Sequence, residues 1–345
     1  MLRLIIINLV LIVASVGGAV AQSSLGTPQD KTSRSEPATD AEEKIVVDSN
    51  LTTILMTATD QNAHFITTLR QEDLRVTEDG VPQQITLFER ETERPLLLAL
   101  VFDTSGSQSA TLKKQKEVAR AFLKSVFRPD RDRIAIVTFA GDAVLQQGFT
   151  NEMAKVETAI GRVDIVRGPL SPNVMTGVPE EPGPATIRAG TAIYDSIFLA
   201  CLKVMNKSST AARRAMILLT DGMDTTSRLQ PEDAVNSAVY SNTVIYGIGI
   251  GQRYEVNQGA IRFLSEETGG RAFFPKNDAD LTASFAEIEL ELRSQYVIGY
   301  QSTNGVRDGK RRNVLIDFAN SKLDKDKLRL AYRNYYYVKK SVAAR

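Results

Sequence analysis

From Leu96 to Arg293 the chain alternates apolar runs of strand length with stretches of helical periodicity, which restricts its fold more than any other feature. Strands are expected at Leu96–Phe102, Arg133–Phe139, Val144–Phe149, Ala215–Thr220, Val244–Ile250 and Arg271–Phe274. Helices are expected at Leu112–Phe127, Met153–Val163, Ala192–Asn206, Pro231–Ser241, Gln258–Thr268 and Leu281–Arg293. Ala140-Gly141-Asp142 is too short for a crossover and makes the second and third strands an antiparallel hairpin. The other connections need right-handed parallel crossovers. The pattern predicts an α/β fold: a doubly wound, mostly parallel sheet with one antiparallel edge strand.

The first strand ends abruptly at Asp103-Thr104-Ser105-Gly106-Ser107. Alternate side chains of an extended segment point the same way, so Asp103, Ser105 and Ser107 can converge. A carboxylate with hydroxyls suits a hard cation such as Mg2+, but three oxygens do not fill an octahedron. Two later places supply candidates. Thr191 opens the helix after Gly190, and Asp221 ends the apolar run Ala215–Thr220. In an open α/β sheet, ligands bind beyond the carboxyl ends of the strands where strand order reverses, so these loops can meet.

The set Asp103-x-Ser105-x-Ser107, then Thr191, then Asp221, resembles the metal-ion-dependent adhesion site of von Willebrand factor A domains, over roughly Leu96 to Arg293. The resemblance implies that the Ser105, Ser107 and Thr191 hydroxyls hold Mg2+, with Mn2+ or Ca2+ as alternatives. It also implies that Asp103 and Asp221 act mostly through bound water. Two carboxylates and neutral hydroxyls leave such a cation under-compensated, so an open position accepts water or a partner's Asp or Glu.

The absences are informative too. One cysteine, Cys201, excludes an intramolecular disulfide framework and Cys-rich zinc sites, and one histidine, His64, removes the usual His-based chemistry. A formal net charge of +1 gives no electrostatic case for nucleic acid or an anionic membrane. At the N-terminus, Arg3, the apolar run Leu4–Val16 and Ala19-Val20-Ala21 form a secretory signal pattern, with cleavage expected after Ala21. An uncleaved anchor is the alternative reading. Either way the remainder is exported, secreted or held in the periplasm or cell envelope, and the mature chain has no span. Gln22 to Glu43 is polar and aperiodic and reads as a disordered tether.

Short β segments flank the α/β region. Ile45–Val47, Thr53–Met56, Leu74–Thr77 and Ile85–Phe88 precede it, with Glu78-Asp79-Gly80-Val81-Pro82 as a turn. Gln295–Tyr300, Asn313–Phe318, Leu328–Tyr332 and Tyr335–Val338 follow it. The expected organisation is 1–21 signal, 22–43 linker, 44–93 and 294–345 as two parts of one small β-sandwich, and 94–293 as an α/β domain inserted in it. An EDG turn before the A domain and a QYxxGY strand after it also resemble secreted bacterial VWFA-related proteins.

Three functional classes remain open: an exported module that captures an acidic residue of a protein ligand, a scaffold merely fastened by the cation, and a metal-dependent hydrolase. A vacant site whose Asp and Ser residues only cap helices is a further reading. Against catalysis, no base pairs with Ser105 in any visible motif, and no GxxxxGK[ST] loop occurs. Gly247-Ile248-Gly249-Ile250-Gly251 lacks the spacing of a dinucleotide fingerprint and fits close strand–helix packing better. Asp195 is expected to hydrogen-bond in the core, and Asp224 to lie on the rim without being a ligand. The Pro-rich span Asp164–Gly190 is expected to hang over the metal face. Partner identity and oligomeric state are not encoded in any recognisable motif.

Overall fold

The computed structural model describes residues 51–90, 94–166, 175, 190–207, 212–251, 256–319 and 327–338. The expected signal, tether and Ile45–Val47 strand, and most of the Asp164–Gly190 loop, lie outside these residues.

Five strands precede the first helix: β1 (Leu51–Asp60), β2 (Leu74–Glu78), β3 (Val81–Gln83), β4 (Ile85–Arg90) and β5 (Leu96–Asp103). Then come α1 (Leu112–Val126), β6 (Arg133–Phe139), β7 (Ala143–Thr150), α2 (Met153–Arg162), α3 (Ile193–Lys203), β8 (Arg213–Thr220) and α4 (Pro231–Tyr240). β9 (Thr243–Gly249), α5 (Gln258–Glu266), β10 (Ala272–Phe273) and α6 (Asp278–Ser294) complete the α/β region. The chain continues as β11 (Tyr296–Gln301), β12 (Arg311–Phe318), β13 (Leu328–Tyr332) and β14 (Tyr335–Tyr337).

The central sheet has the order β10-β9-β8-β5-β6-β7. Only β7 runs antiparallel, paired with β6 across the short turn as the sequence requires. Both faces of the inner strands are covered, so β5, β6, β8 and β9 are mostly apolar and their alternation sorts residues into two cores. Leu98, Leu100 and Phe102 of β5 pack with α1, α2 and α6. Ala99 and Val101 pack with α3, α4 and Leu264 of α5. Cys201 belongs to this second core, and burial pushes its thiol up to about 11.

Helix starts follow local chemistry. Pro231 begins α4 behind a reciprocal Gln230–Asp233 capping box, while Asn257 and Asn277 accept main-chain N–H groups at the starts of α5 and α6. The glycines of β9 are packing glycines. A Cβ on Gly247 would lie 2.5 Å from Ile261 Cγ2 and 2.7 Å from Ser265 Oγ on α5. Gly247→Ala is therefore expected to cost about 1–3 kcal/mol by overpacking, read as a lowered urea midpoint at unchanged m-value.

The flanking segments form two antiparallel four-stranded sheets, β13-β1-β11-β4 and β14-β12-β2-β3. Each mixes strands from before and after the α/β region. Ile54 and Met56 of β1, Val76 of β2, Tyr296 and Ile298 of β11 and Ile316 of β12 share one apolar cluster. The EDG turn joins β2 to β3 with positive φ at Asp79 (47°) and Gly80 (83°), the hairpin geometry that favours Asp-Gly. Asp79 also receives the Asn313 N–H on Oδ1 at 2.9 Å, tying the turn to β12. On the second sheet, β14 reaches back to the α/β region: Tyr335 is buried in its second core, and Tyr337 stacks on Tyr240 of α4 at 4.9 Å.

Candidate metal centre

β5 and β8 are parallel neighbours, so the loops after Asp103 and Thr220 emerge side by side at the carboxyl edge of the sheet. Thr104 pins the first loop by donating its N–H and its hydroxyl to Phe139 O at 2.7 and 2.8 Å. Asp103 is fully buried. Its Oδ1 accepts the Ser105 N–H at 2.9 Å and its Oδ2 accepts the Thr220 hydroxyl at 2.7 Å. Gly106–Ala110 then form a 3-10 turn, and the Ser105 and Ser107 hydroxyls lie 3.1 Å apart, with Ser107 exposed to solvent.

Asp221 is 4% exposed, and its Oδ1 accepts the Met223 N–H at 2.9 Å. Gly222 between them has φ +78°, and a Cβ there would stand 2.8 Å from Asn257 O, so glycine is required. The same loop holds Thr191. Thr225 donates its N–H to Thr191 O at 2.8 Å, and its hydroxyl accepts the Thr191 N–H at 2.8 Å. Ala192 donates to Ala140 O at 2.7 Å, which fixes this segment against the β6–β7 turn. Thus Asp103, Ser105, Ser107 and Asp221 stand on two adjacent loops. Thr191 joins them through the main chain of the Asp221 loop, with no direct hydrogen bond to the other four.

The outlying acids have other work. Asp224 Oδ1 accepts the Ile193 N–H at 2.7 Å and so caps α3, assisted by Ser227, whose hydroxyl accepts the Tyr194 N–H at 3.0 Å. Asp195 Oδ1 accepts the Arg228 and Leu229 N–H groups at 2.9 and 3.0 Å. Sequence reading did not find Thr225, Ser227 or Gln108 as supports. Ser and Thr near an acid are too common to single out, and nothing local marks a Gln as buried.

Desolvation dominates the electrostatics of Asp103. It raises the carboxyl to about 6 despite the hydrogen bonds from Ser105 and Thr220, and the nearby Asp221 charge adds to the rise. Among the described residues, no Lys, Arg or His forms an ion pair with Asp103 or Asp221. No group of three or more His, Cys, Asp or Glu among them could hold a metal. The candidate donors at this edge of the sheet are two carboxylates and three hydroxyls, a set whose chemistry fits a hard, oxygen-preferring divalent cation better than a thiolate or imidazole metal.

Residues 98–223 match the family model of the von Willebrand factor type A domain, and the chain carries a domain of that family. Calcium-activated chloride channel regulator 1 of Bos taurus is 24% identical over 216 residues, 62% of this chain, which spans only 21% of that relative's length. Among solved structures, proximal thread matrix protein 1 from the mussel byssus, with a zinc-occupied MIDAS motif, is 22% identical. That likeness has a TM-score of 0.45 and covers 61% of this chain and 48% of that one. The vWF domain of the type V pili tip protein Mfa5 from Porphyromonas gingivalis is 15% identical with a TM-score of 0.43, covering 57% of this chain and 94% of that one.

Proposed function

We propose that this chain is an exported, non-enzymatic protein-binding module that uses Mg2+ to capture an acidic residue of a partner. Asp103, Ser105, Ser107, Thr191 and Asp221 would hold the cation, the two acids mostly through water. When bound, the cation supplies a positive charge to which a carboxylate can attach. One observation carries the reading: two buried carboxylates, with no cationic side chain beside them, lie next to a solvent-facing serine. Buried anions without a counter-charge are costly, and a divalent cation relieves both at once. The exposed Ser107 gives the site access from solution.

Residues 44–93 and 294–345 would form one sandwich that carries the A domain as an insertion, a reading supported by the strand pairing and shared cluster. Residues 1–21 would direct export. Among the described residues, no helix is long and apolar enough to cross a membrane.

A purely structural cation is the second reading, favoured by the hydrogen bonds that tie Asp103 and Asp221 into their own loops. Pull-downs with the purified protein separate the two, using cell-envelope and culture-medium fractions, with Mg2+ or EDTA, beside Asp103→Ala. The proposal expects a partner retained only by wild type with Mg2+. The same partners in every condition would sink metal-mediated recognition. No partner, together with a Mg2+-dependent rise in melting temperature, would establish the structural role.

A further inference from the structure

Gln108, the residue after Ser107, is fully buried in the 3-10 turn. Its Nε2 donates to Asp221 Oδ2 and to Ile250 O, each at 3.2 Å. Its Oε1 accepts from Gln115 Nε2 at 2.8 Å and from the Thr111 hydroxyl at 3.3 Å. One amide thus joins the loop after β5, the loop after β8, the end of β9 and the first turns of α1. The amide's orientation follows from its surroundings, since a carbonyl and a carboxylate both call for a donor.

This arrangement is a poor device for stability alone. The amide supplies a donor to two buried acceptors, Asp221 Oδ2 and Ile250 O, but it does so through a network that is not fully satisfied. The second amide, Gln115, is also fully buried, and its Oε1 has no hydrogen-bond partner. A buried polar network left partly unsatisfied costs stability. What Gln108 does accomplish is to hold Asp221. The Met223 N–H fixes one carboxylate oxygen, and Gln108 provides the side-chain hydrogen bond to the other. Without it, the carboxylate can turn about its last torsion.

We propose that Gln108 is a positioning residue for Asp221, fixing the carboxylate's orientation and thereby setting the affinity of the site for divalent cations. This rests on the metal-site reading above. Groups that orient a metal's surroundings typically change affinity by about 10–100-fold when removed.

The test compares wild type, Gln108→Met and Gln108→Met/Gln115→Met, the last leaving no stranded glutamine. Calorimetric titration with MgCl2 and with MnCl2 measures affinity, and melting of the metal-free protein measures stability. The proposal expects an affinity loss of about 10–100-fold in both variants, with the metal-free double variant still unfolding in one cooperative transition above the titration temperature. A folded double variant that binds Mg2+ within about twofold of wild type overturns the role of Gln108 and leaves the metal site standing. If wild type itself takes up neither ion, the metal-site reading fails and this inference with it.

Discussion

Asp103→Asn is expected to leave the protein folded and to lose the rise in melting temperature that the proposed site predicts for wild type with Mg2+. A ligand that binds only the folded state at a hundredfold excess over its dissociation constant stabilises by about 2.7 kcal/mol. In a protein of this size that corresponds to about 4 °C. The substitution keeps the shape of the side chain and an acceptor for the Ser105 N–H while removing the charge. Asp103 is fully buried beside Asp221, so metal-free Asp103→Asn should melt at least as high as metal-free wild type. The two readings together form a signature that a folding defect cannot imitate: unchanged or higher stability without metal, and no response to it. Differential scanning calorimetry at several Mg2+ concentrations measures both. A full Mg2+ response in Asp103→Asn would remove Asp103 from the site.

The α/β layers were legible because parallel strands covered on both faces are written as long apolar runs. Leu96–Phe102 and Ala215–Thr220 announced β5 and β8 to within two residues, and the three-residue link at Ala140 dictated the antiparallel β6–β7 pair. Asp103, Ser105 and Ser107 could be picked out because their alternation coincides with a strand end. The supports around them were hidden for a physical reason. Gln108 meets Asp221 across 113 residues of sequence, and Asp224 meets Ile193 across 31, so their partners are set by which loops the sheet brings together. The pairing of β13 with β1 was equally invisible, because short amphipathic strands encode a buried face but not a neighbour.

Glu78→Ala is expected to be among the most destabilising single substitutions in the chain, although it lies outside the A domain. Glu78 ends β2 and is only 2% exposed. Its Oε2 accepts the hydroxyls of Tyr300 on β11 and Tyr336 on β14, both at 2.9 Å, and its Oε1 accepts the Ser302 hydroxyl at 2.5 Å. One carboxylate thus binds strands of both four-stranded sheets and gives the EDG turn, the QYxxGY strand and the terminal tyrosines a common physical basis. Burial, with the adjacent Glu78 charge, pushes the Tyr300 hydroxyl well above its ordinary range, which keeps it a donor. Alanine removes three charge-assisted bonds and strands a buried tyrosine hydroxyl, a loss of about 3–5 kcal/mol. Glu78→Gln keeps one acceptor, and hydroxyls can reverse direction to meet its amide, so about 1–2 kcal/mol is expected. Urea unfolding should be followed by helix circular dichroism and by tyrosine fluorescence, which is undisturbed because the chain has no tryptophan. Tyr335 is buried in the second core of the α/β region, and the Arg333 guanidinium donates to Asn242 Oδ1 at 3.3 Å. These links should make both signals shift together in Glu78→Ala. A tyrosine transition that moves while the helix transition stays in place would show instead that the flanking sheets and the A domain are independently stable.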